Sequence, residues 1–549
     1  MPDSNDRVDA IIIGAGLAGL YAHYRLRALG FTLRGFEAAP DVGGTWYWNR
    51  YPGARCDVES LDYSYSFSPE LLDEWQWSER FATQPEILRY VDHVATRFDL
   101  RRDIAFGTRV TGARFDAAGN EWVVETEGGG RHRARFLICA VGSLSLPKVP
   151  DFPGLADFQG QWVQTGAWPR DPVGLAGKRV AVIGTGSSGM QAIPEIAAQA
   201  AHLTVFQRTP NFSAPANNGP VDPAHEAAVR ADYKGYKDRL KRTIGGLRQP
   251  LNTGLPALEV PDDLRNAKFE EAWNFACFSI QSVFSDVMVD LRANALAADF
   301  VRAKIRKTVT DPLVAERLTP RDYPFGAKRL VFETNYHATF NQPHVELVDI
   351  RATPIERITA TGVRTSEQDY PVDLIVFAIG FDAMTGPLLA LDLRGLEGRS
   401  LRDAWADGPL SLLGLMVAGF PNLFTINGPG SPSVLTNMIA AIEQHVDWIA
   451  DCIAHMRAKG LVRIDADAQA QADWAAEVRQ MADYTVMGGA NSWYTGANVP
   501  GKPRVFLAYV AGLDVYAERC EQIARDGYPV CHFLGGADQR SSEFEEERT

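Results

Sequence analysis

The sequence predicts an α/β chain built on two repeated strand–turn–helix–strand units, the second domain interrupted by a helical insertion. Three observations carry this expectation. A strand, glycine turn, helix and strand follow one another near the N-terminus, the same unit recurs 170 residues later, and the stretch after the recurrence changes to helical apolar spacing.

The first unit runs from Val8 to Glu37. Val8–Ile13 is a short apolar run leading into Gly14-Ala15-Gly16-Leu17-Ala18-Gly19. Leu20–Leu29 has helical apolar spacing and stops at Gly30, and a second apolar run, Thr32–Phe36, ends at Glu37. In such a unit Gly14 permits the tight turn, Gly16 lets backbone approach a pyrophosphate, and Gly19 lets helix pack on strand. The helix N-terminus offers N–H groups and partial positive charge to the pyrophosphate. Glu37, 23 positions after Gly14, is placed to accept hydrogen bonds from a ribose diol.

The second unit begins at Arg179. Val180–Ile183 leads into Gly184-Thr185-Gly186-Ser187-Ser188-Gly189, and the strand Thr204–Gln207 is followed by Arg208 and Thr209. Arg208, 24 positions after Gly184, occupies the ribose-reading position. A guanidinium there pairs with a 2′-phosphate, where a carboxylate would repel it. The first site therefore suits FAD and the second NADPH/NADP⁺, each on a Rossmann-like dinucleotide-binding domain. One such glycine cluster is weak evidence. Two, each with strand, helix and ribose-reading residue in register, are strong.

Phe136–Gly142 and Leu374–Phe381 echo one another as buried strands that end in a glycine turn, as a parallel sheet requires. Each follows one nucleotide unit, so the chain is expected to cross between domains there. The first leads into the proline-rich stretch Leu146–Gly154, read as a linker. Trp273, Ala276, Ile280, Val283, Phe284, Val287 and Leu291 recur at intervals of three and four, the stripe of an amphipathic helix within the insertion. The division that follows is an FAD-binding domain over 1–145, an NADPH-binding domain over 146–214, and the insertion over 215–324. The NADPH-binding domain resumes over 325–380 and the FAD-binding domain over 381–535, before a solvated acidic tail at 536–549.

Composition narrows the class. Apolar residues make up 46% and charged residues 22%, enough for an ordinary soluble core. The net charge of -13 argues against nucleic acid as the main partner, because phosphate binding needs basic clusters. The longest apolar stretch, Ala10–Ala22, contains three glycines and is too short to span a bilayer. Asp3, Asp6 and Asp9 precede it where a secretion signal wants basic residues. These features predict a cytoplasmic protein with no membrane partner and no obligate protein partner. Cys56, Cys139, Cys277, Cys452, Cys520 and Cys531 show no CxxC or CxxxxC spacing, so neither a disulfide framework nor a metal site is expected.

Two nucleotide sites fit reductases and monooxygenases equally. A dithiol–disulfide reductase needs a cysteine pair beside the flavin, and the sequence has none. Other segments discriminate. Residues 43 to 57, Gly43-Gly44-Thr45-Trp46-Tyr47-Trp48-Asn49-Arg50-Tyr51-Pro52-Gly53-Ala54-Arg55-Cys56-Asp57, resemble the GGxWxxxxYPGxxxD segment of type I Baeyer–Villiger monooxygenases. Phe158-x-Gly160 with Trp168-Pro169, Lys328-Arg329, Asn427–Pro432 and Ser492–Asn498 resemble further segments of that family, in the same order. The resemblance runs from residue 8 to about 530.

The resemblance implies an activity. NADPH reduces FAD, oxygen adds to the flavin C4a, and the deprotonated peroxide attacks a ketone, so that rearrangement yields an ester or lactone. Sulfoxidation is implied as a side activity. Arg329 takes the role of a permanent cation beside the peroxide and the developing alkoxide, since arginine does not deprotonate at working pH. Asp57 matches the carboxylate that holds this arginine and tunes the local field. Lys328 joins Arg208 and Thr209 at the 2′-phosphate, and Trp493 packs on the nicotinamide nucleotide. Thr45, Trp46, Tyr63 and Val110 carry over as flavin contacts, and Met438 as an active-site wall. Two alternatives share the two-site fold: a flavin monooxygenase that oxidises nitrogen or sulfur through a protonated hydroperoxide, and an uncoupled NADPH oxidase. Arg329 with Asp57 favours the anionic peroxide, and so the ketone reaction.

One position departs from the family. Its linker fingerprint reads FxGxxxHxxxWP, and Gln164 stands where histidine is expected. Glutamine donates and accepts hydrogen bonds but cannot become a cation. It is expected to tie the interdomain linker without the pH dependence of a histidine. The domains, joined near Val141-Gly142 and Gly380-Phe381, are expected to shift between hydride delivery and oxygen chemistry.

Overall fold

The computed structural model describes residues 7–248, 250–276 and 278–535. Asp3, Asp6, the side chain of Cys277 and the acidic tail at 536–549 lie outside the described residues.

In chain order the first strands are β1 (Arg7–Ile13), β2 (Leu33–Phe36), β3 (Ile104–Ala105), β4 (Val110–Asp116), β5 (Glu121–Thr126) and β6 (Arg131–Cys139). They join one sheet in the order β4-β5-β6-β1-β2-β3. β1 pairs in parallel with β2 and β6, whereas β4, β5 and β6 run antiparallel. Ala10, Ile11 and Ile12 of β1 are essentially inaccessible, as a central parallel strand covered on both faces must be.

The chain then enters β7 (Gln161–Gln164), β8 (Arg179–Ile183) and β9 (His202–Gln207), followed by β10 (Ser213–Pro215), β11 (Val331–Glu333) and β12 (Val345–Asp349). A three-stranded antiparallel meander, β13 (Ile355–Thr359), β14 (Gly362–Thr365) and β15 (Asp369–Pro371), precedes β16 (Leu374–Phe377). The second sheet has the order β12-β9-β8-β16-β7, with every pairing parallel. β10 and β11, at the two ends of the mostly helical stretch between them, form a separate parallel ladder. After β16 the chain returns to the first sheet: β17 (Asp392–Arg394) pairs with β4, and β18 (Leu423–Thr425) pairs with β6. β19 (Leu461–Ala466) and β20 (Cys531–Gly535) form an antiparallel pair at the end.

The two echoing segments fall in equivalent places. Leu137–Cys139 lies parallel to Ile11–Ile13, and Leu374–Phe377 lies parallel to Val180–Ile183. The first helix, Leu17–Ala28, begins three residues earlier than apolar spacing suggested, because Gly16 is its N-cap and the glycine motif itself supplies the opening turn.

The expected stripe from Trp273 to Leu291 is not one helix. Helix Asp262–Phe275 ends at Ala276, whose φ of 64° is left-handed, only the short turn Ser279–Ser282 follows, and a new helix starts at Leu291 behind the cap Asp290. Ala276, Ile280, Val283, Phe284 and Val287 are all buried, whereas Leu291 is exposed. Burial on a packed irregular segment imitates helical periodicity here, since the three-to-four spacing records only which residues face inward. Among the described residues no helix is long and apolar enough to cross a membrane.

Candidate active site

The first glycine turn is built for close approach. Gly14 has φ of 107°, and a Cβ there would lie 2.5 Å from Ala140 O, so only glycine fits. At Gly19 a Cβ would collide with Gly14 O, which brings the helix down onto the turn. The helix N-terminus at Gly16 has no side-chain cap, leaving its N–H groups for a ligand. The Glu37 carboxylate is buried and accepts from Ala15 N and Ala39 N, each at 2.7 Å. Each oxygen keeps a further lone pair, which is what a ribose diol requires. Val110 starts β4 two residues after Thr108, whose N–H donates to Glu37 O at 2.8 Å. Thr45 is exposed at the start of a short helical turn, while Trp46 Nε1 donates to Tyr63 Oη at 3.1 Å in a buried edge-to-face pair.

The second turn repeats this geometry. Gly184 has φ of 110° with Ala378 O at 2.4 Å from a would-be Cβ, and Gly189 packs on Gly184 O at 2.3 Å. A Cβ on Gly186 would meet nothing within 4 Å, so open space lies in front of the uncapped helix Ser187–Ala197. Thr185 Oγ1 donates to Thr209 O at 3.4 Å, tying the turn to the ribose-reading loop, and Ser188 Oγ lies 3.0 Å from Thr165 Oγ1. Arg208 is exposed after β9, and Lys328 Nζ lies 4.4 Å from the centroid of the Tyr323 ring. Burial and the nearby Arg208 both lower the Lys328 pKa. Both cradles therefore fit a dinucleotide by shape and by donor chemistry.

Arg329 and Asp57 meet from distant parts of the chain. Arg329 Nε donates to Asp57 Oδ2 at 2.7 Å, and Nη1 donates to Val434 O at 2.6 Å. The guanidinium also lies 5.4 Å from the centroid of the Phe278 ring. Burial works against its charge, but the Asp57 carboxylate outweighs burial and holds the arginine pKa above its ordinary value. Burial raises the Tyr494 phenol, and the adjacent Arg329 pulls the other way.

An apolar cluster adjoins this pair. Ala383, Met384, Val434, Tyr494 and Leu507 are buried together, with Leu144, Leu435, Met438, Trp493 and Phe506 packed against them. Met438 and Trp493 thus pack against the same cluster, and the Trp493 ring lies 4.5 Å from that of Tyr494. Sequence reasoning did not single out Tyr494, Val434 or Phe278 as neighbours of Arg329. Tyr494 stood inside the Ser492–Asn498 segment, next to the tryptophan that drew attention. Phe278 had no distinguishing pattern.

Gln164 ends β7, and its Nε2 donates to Lys148 O at 2.6 Å, so the residue in the histidine position does tie the linker. Cys56, Cys139, Cys452, Cys520 and Cys531 are free and buried, and burial pushes the thiols of Cys139, Cys520 and Cys531 up to about 12. They are inert thiols rather than redox partners of a flavin.

Two glycine cradles, one on a mixed sheet and one on a parallel sheet, and a cation–carboxylate pair beside an apolar cluster define an oxidoreductase of the two-nucleotide monooxygenase class. Residues 11–235, which include both glycine motifs, match the family described as pyridine nucleotide-disulphide oxidoreductase. Over 524 residues the chain is 41% identical to a protein named Baeyer-Villiger monooxygenase from Pseudooceanicola batsensis, with 95% of each chain covered. The solved structure of oxidized steroid monooxygenase bound to NADP superposes with a TM-score of 0.92 at 50% identity, covering 96% of this chain and 100% of that one. The closed crystal structure of cyclohexanone monooxygenase superposes with a TM-score of 0.94 at 40% identity, covering 97% and 100%. The chain belongs to the Baeyer–Villiger monooxygenases.

Proposed function

We propose that the protein holds FAD in the first cradle and NADPH in the second, and inserts one oxygen atom of O2 beside a ketone carbonyl to form an ester or lactone. The observation that carries the reading is the Arg329–Asp57 pair beside an apolar wall. Bound flavin, reduced by NADPH, supplies the activated oxygen. The rest is done by side chains. Asp57 and Val434 O fix the guanidinium plane, Tyr494 also bonds to it, and the N–H groups that remain donate to negative charge that develops on the substrate oxygen. Because arginine keeps its proton, this stabilisation needs no proton bookkeeping during turnover. Leu144, Val434, Leu435, Met438 and Phe506 receive the carbon skeleton and exclude water.

In the first cradle Glu37 takes the FAD ribose, the Gly16 helix terminus takes the pyrophosphate, and Thr45, Trp46, Tyr63 and Val110 line the flavin. In the second, Thr185, Gly186, Ser187 and Ser188 cradle the NADPH pyrophosphate, Arg208, Thr209 and Lys328 take the 2′-phosphate, and Trp493 covers the nicotinamide end. The domain division given above follows the same reading, supported by the return of β17 and β18 to the first sheet. The partners are a ketone and O2, and the setting is cytoplasmic, consistent with thiols that are scattered and unpaired.

A panel of ketones, with products resolved by chromatography and NADPH consumption followed in parallel, tests the reading. Ester or lactone formed in step with NADPH supports it. NADPH consumption that yields only hydrogen peroxide with every ketone overturns it.

A further inference from the structure

Lys148 belongs to none of the motifs, yet it stands where several elements meet. It lies in the proline-rich linker at the C-terminal rim of the second sheet, the edge at which open parallel sheets bind ligands. Its N–H donates to Gly380 O at 3.1 Å, just beyond β16, and its carbonyl accepts from Gln164 at the end of β7. Its Nζ donates to Asn498 O at 3.0 Å, and Asn498 Nδ2 in turn donates to Phe381 O at 2.7 Å. Backbone and side chain are thereby both fixed at the rim.

Arg208 follows β9 at the same rim. Burial first, and Arg208 second, lower the pKa of Lys148, and the same two causes in the same order lower that of Lys328. In the order β12-β9-β8-β16-β7, Arg208 after β9 and Lys148 beside the ends of β16 and β7 flank the glycine turn that follows β8, and the Lys328 ammonium sits over the Tyr323 ring, whose hydroxyl donates to Pro210 O two residues after Arg208. The acids whose charge acts on these lysines are already engaged, Asp382 with Lys502 and Asp322 with Arg351. Among the described residues, none of the three cations has a carboxylate partner of its own. Three like charges gathered at one rim repel one another until an anion joins them.

The identity of that anion follows from position. A dinucleotide's pyrophosphate belongs at the helix terminus at Gly186. Arg208, the cation acting on both lysines, follows β9 at the position where a Rossmann unit reads its ribose. A 2′-phosphate carries close to two negative charges and three acceptor oxygens, enough for three cationic donors. We propose that Lys148 is a third cationic ligand of the NADPH 2′-phosphate and contributes to the preference for NADPH over NADH. The proposal rests on the reading of the second cradle as the NADPH site.

The test is calorimetric binding of adenosine 2′,5′-bisphosphate and of ADP to the FAD-loaded enzyme, for wild type, Lys148→Met and Lys148→Arg. Wild type should bind the bisphosphate the more tightly. Lys148→Met should weaken the bisphosphate roughly tenfold while leaving ADP within about twofold, and Lys148→Arg should restore most of the loss. If Lys148→Met weakens both ligands equally, the lysine is a tie between linker and loop and the proposal falls. It falls equally if neither ligand responds. If wild type does not distinguish the two ligands, the NADPH assignment of the second cradle fails with it. Steady-state KM values for NADPH and NADH on the same variants should follow the same pattern.

Discussion

Arg329 Nε donates to Asp57 Oδ2 at 2.7 Å, joining residues 272 positions apart in the chain. The contact orients a guanidinium whose second donor, Nη1, is taken by Val434 O. Replacing Arg329 with Ala removes the charge and the fork together. Ester formation should fall by a factor of about 10²–10³ or more, while the protein still purifies yellow with FAD. Arg329→Lys should recover little, because a single ammonium cannot satisfy Asp57 and Val434 in one plane. Product chromatography and the flavin absorbance spectrum check both outcomes. An Arg329→Ala enzyme with undiminished ester formation would sink the proposed mechanism.

Asp57→Asn keeps the shape and removes the charge that offsets burial of the arginine. The guanidinium is then less compensated, and thermal unfolding should show a loss of about 1–2 kcal/mol, below the range for fully buried pairs. Ester formation should fall as well, since the cation is no longer held in one orientation. Parallel melting and turnover measurements separate the two effects.

Lys237 is 4% exposed, and its Nζ donates to Leu61 O at 2.8 Å, Asp62 O at 3.0 Å and Ser64 O at 2.7 Å. The adjacent Tyr236 hydroxyl donates to the Asp62 carboxylate, and Arg248 N donates to the same carboxylate at 2.6 Å. This stretch of the insertion therefore grips the segment that carries Asp57 and Tyr63. Lys237→Met fills the space but leaves buried carbonyls unsatisfied, at about 2–4 kcal/mol. Denaturant unfolding should show that loss, and limited proteolysis should cut the insertion faster.

Stability should fall in mild acid. Burial lowers the pKa of His23 to about 4 and that of His445 to about 3, from an ordinary 6.5. Each ring is neutral in the folded protein while the unfolded chain binds a proton below about pH 6.5, so stability is full above that pH and is lost as the pH drops toward the folded values. For His23 the complete effect is about 3 kcal/mol. Asp465, raised by burial to about 6, works in the opposite direction between about pH 4 and 6. Asp62 and Asp447, also raised by burial, act with Asp465, and His455, also lowered by burial, acts with the two histidines, whose shifts are the larger, so the net slope is positive. Melting curves from pH 7.5 to 4.5 check the sign, and His23→Gln should flatten the slope.

Gln164 already donates to Lys148 O, the tie expected of the family's histidine. Gln164→His should therefore leave the ratio of ester to NADPH consumed within about twofold, whereas Gln164→Ala should lower it by loosening the linker. A several-fold gain in Gln164→His would mean instead that the glutamine is a functional weakness.

The glycine turns were legible because their requirements are local. A left-handed residue at Gly14 or Gly184, and a carbonyl closer than any Cβ allows, leave a mark in the sequence itself. The place of Glu37 beside the first turn, and of Arg208 after β9, was legible for a related reason, since strand length sets both distances from the turn. Phe278, Tyr494 and Lys237 were not. Each is an ordinary residue whose importance comes from what the fold brings opposite it. The false helix from Trp273 to Leu291 has the same origin, because apolar spacing reports burial and cannot tell a helix from a packed irregular chain.

The sequence by itself determined the nucleotide cradles and, through motif order, the family, because those depend on residues close together in the chain. Only the tertiary structure decided that Asp57 and Val434 clamp Arg329, that Met438 and Trp493 pack against one apolar cluster, and that Lys148 and Arg208 stand at one sheet rim. Such contacts depend on side-chain reach across the folded interior, where distance along the chain carries no information about distance in space.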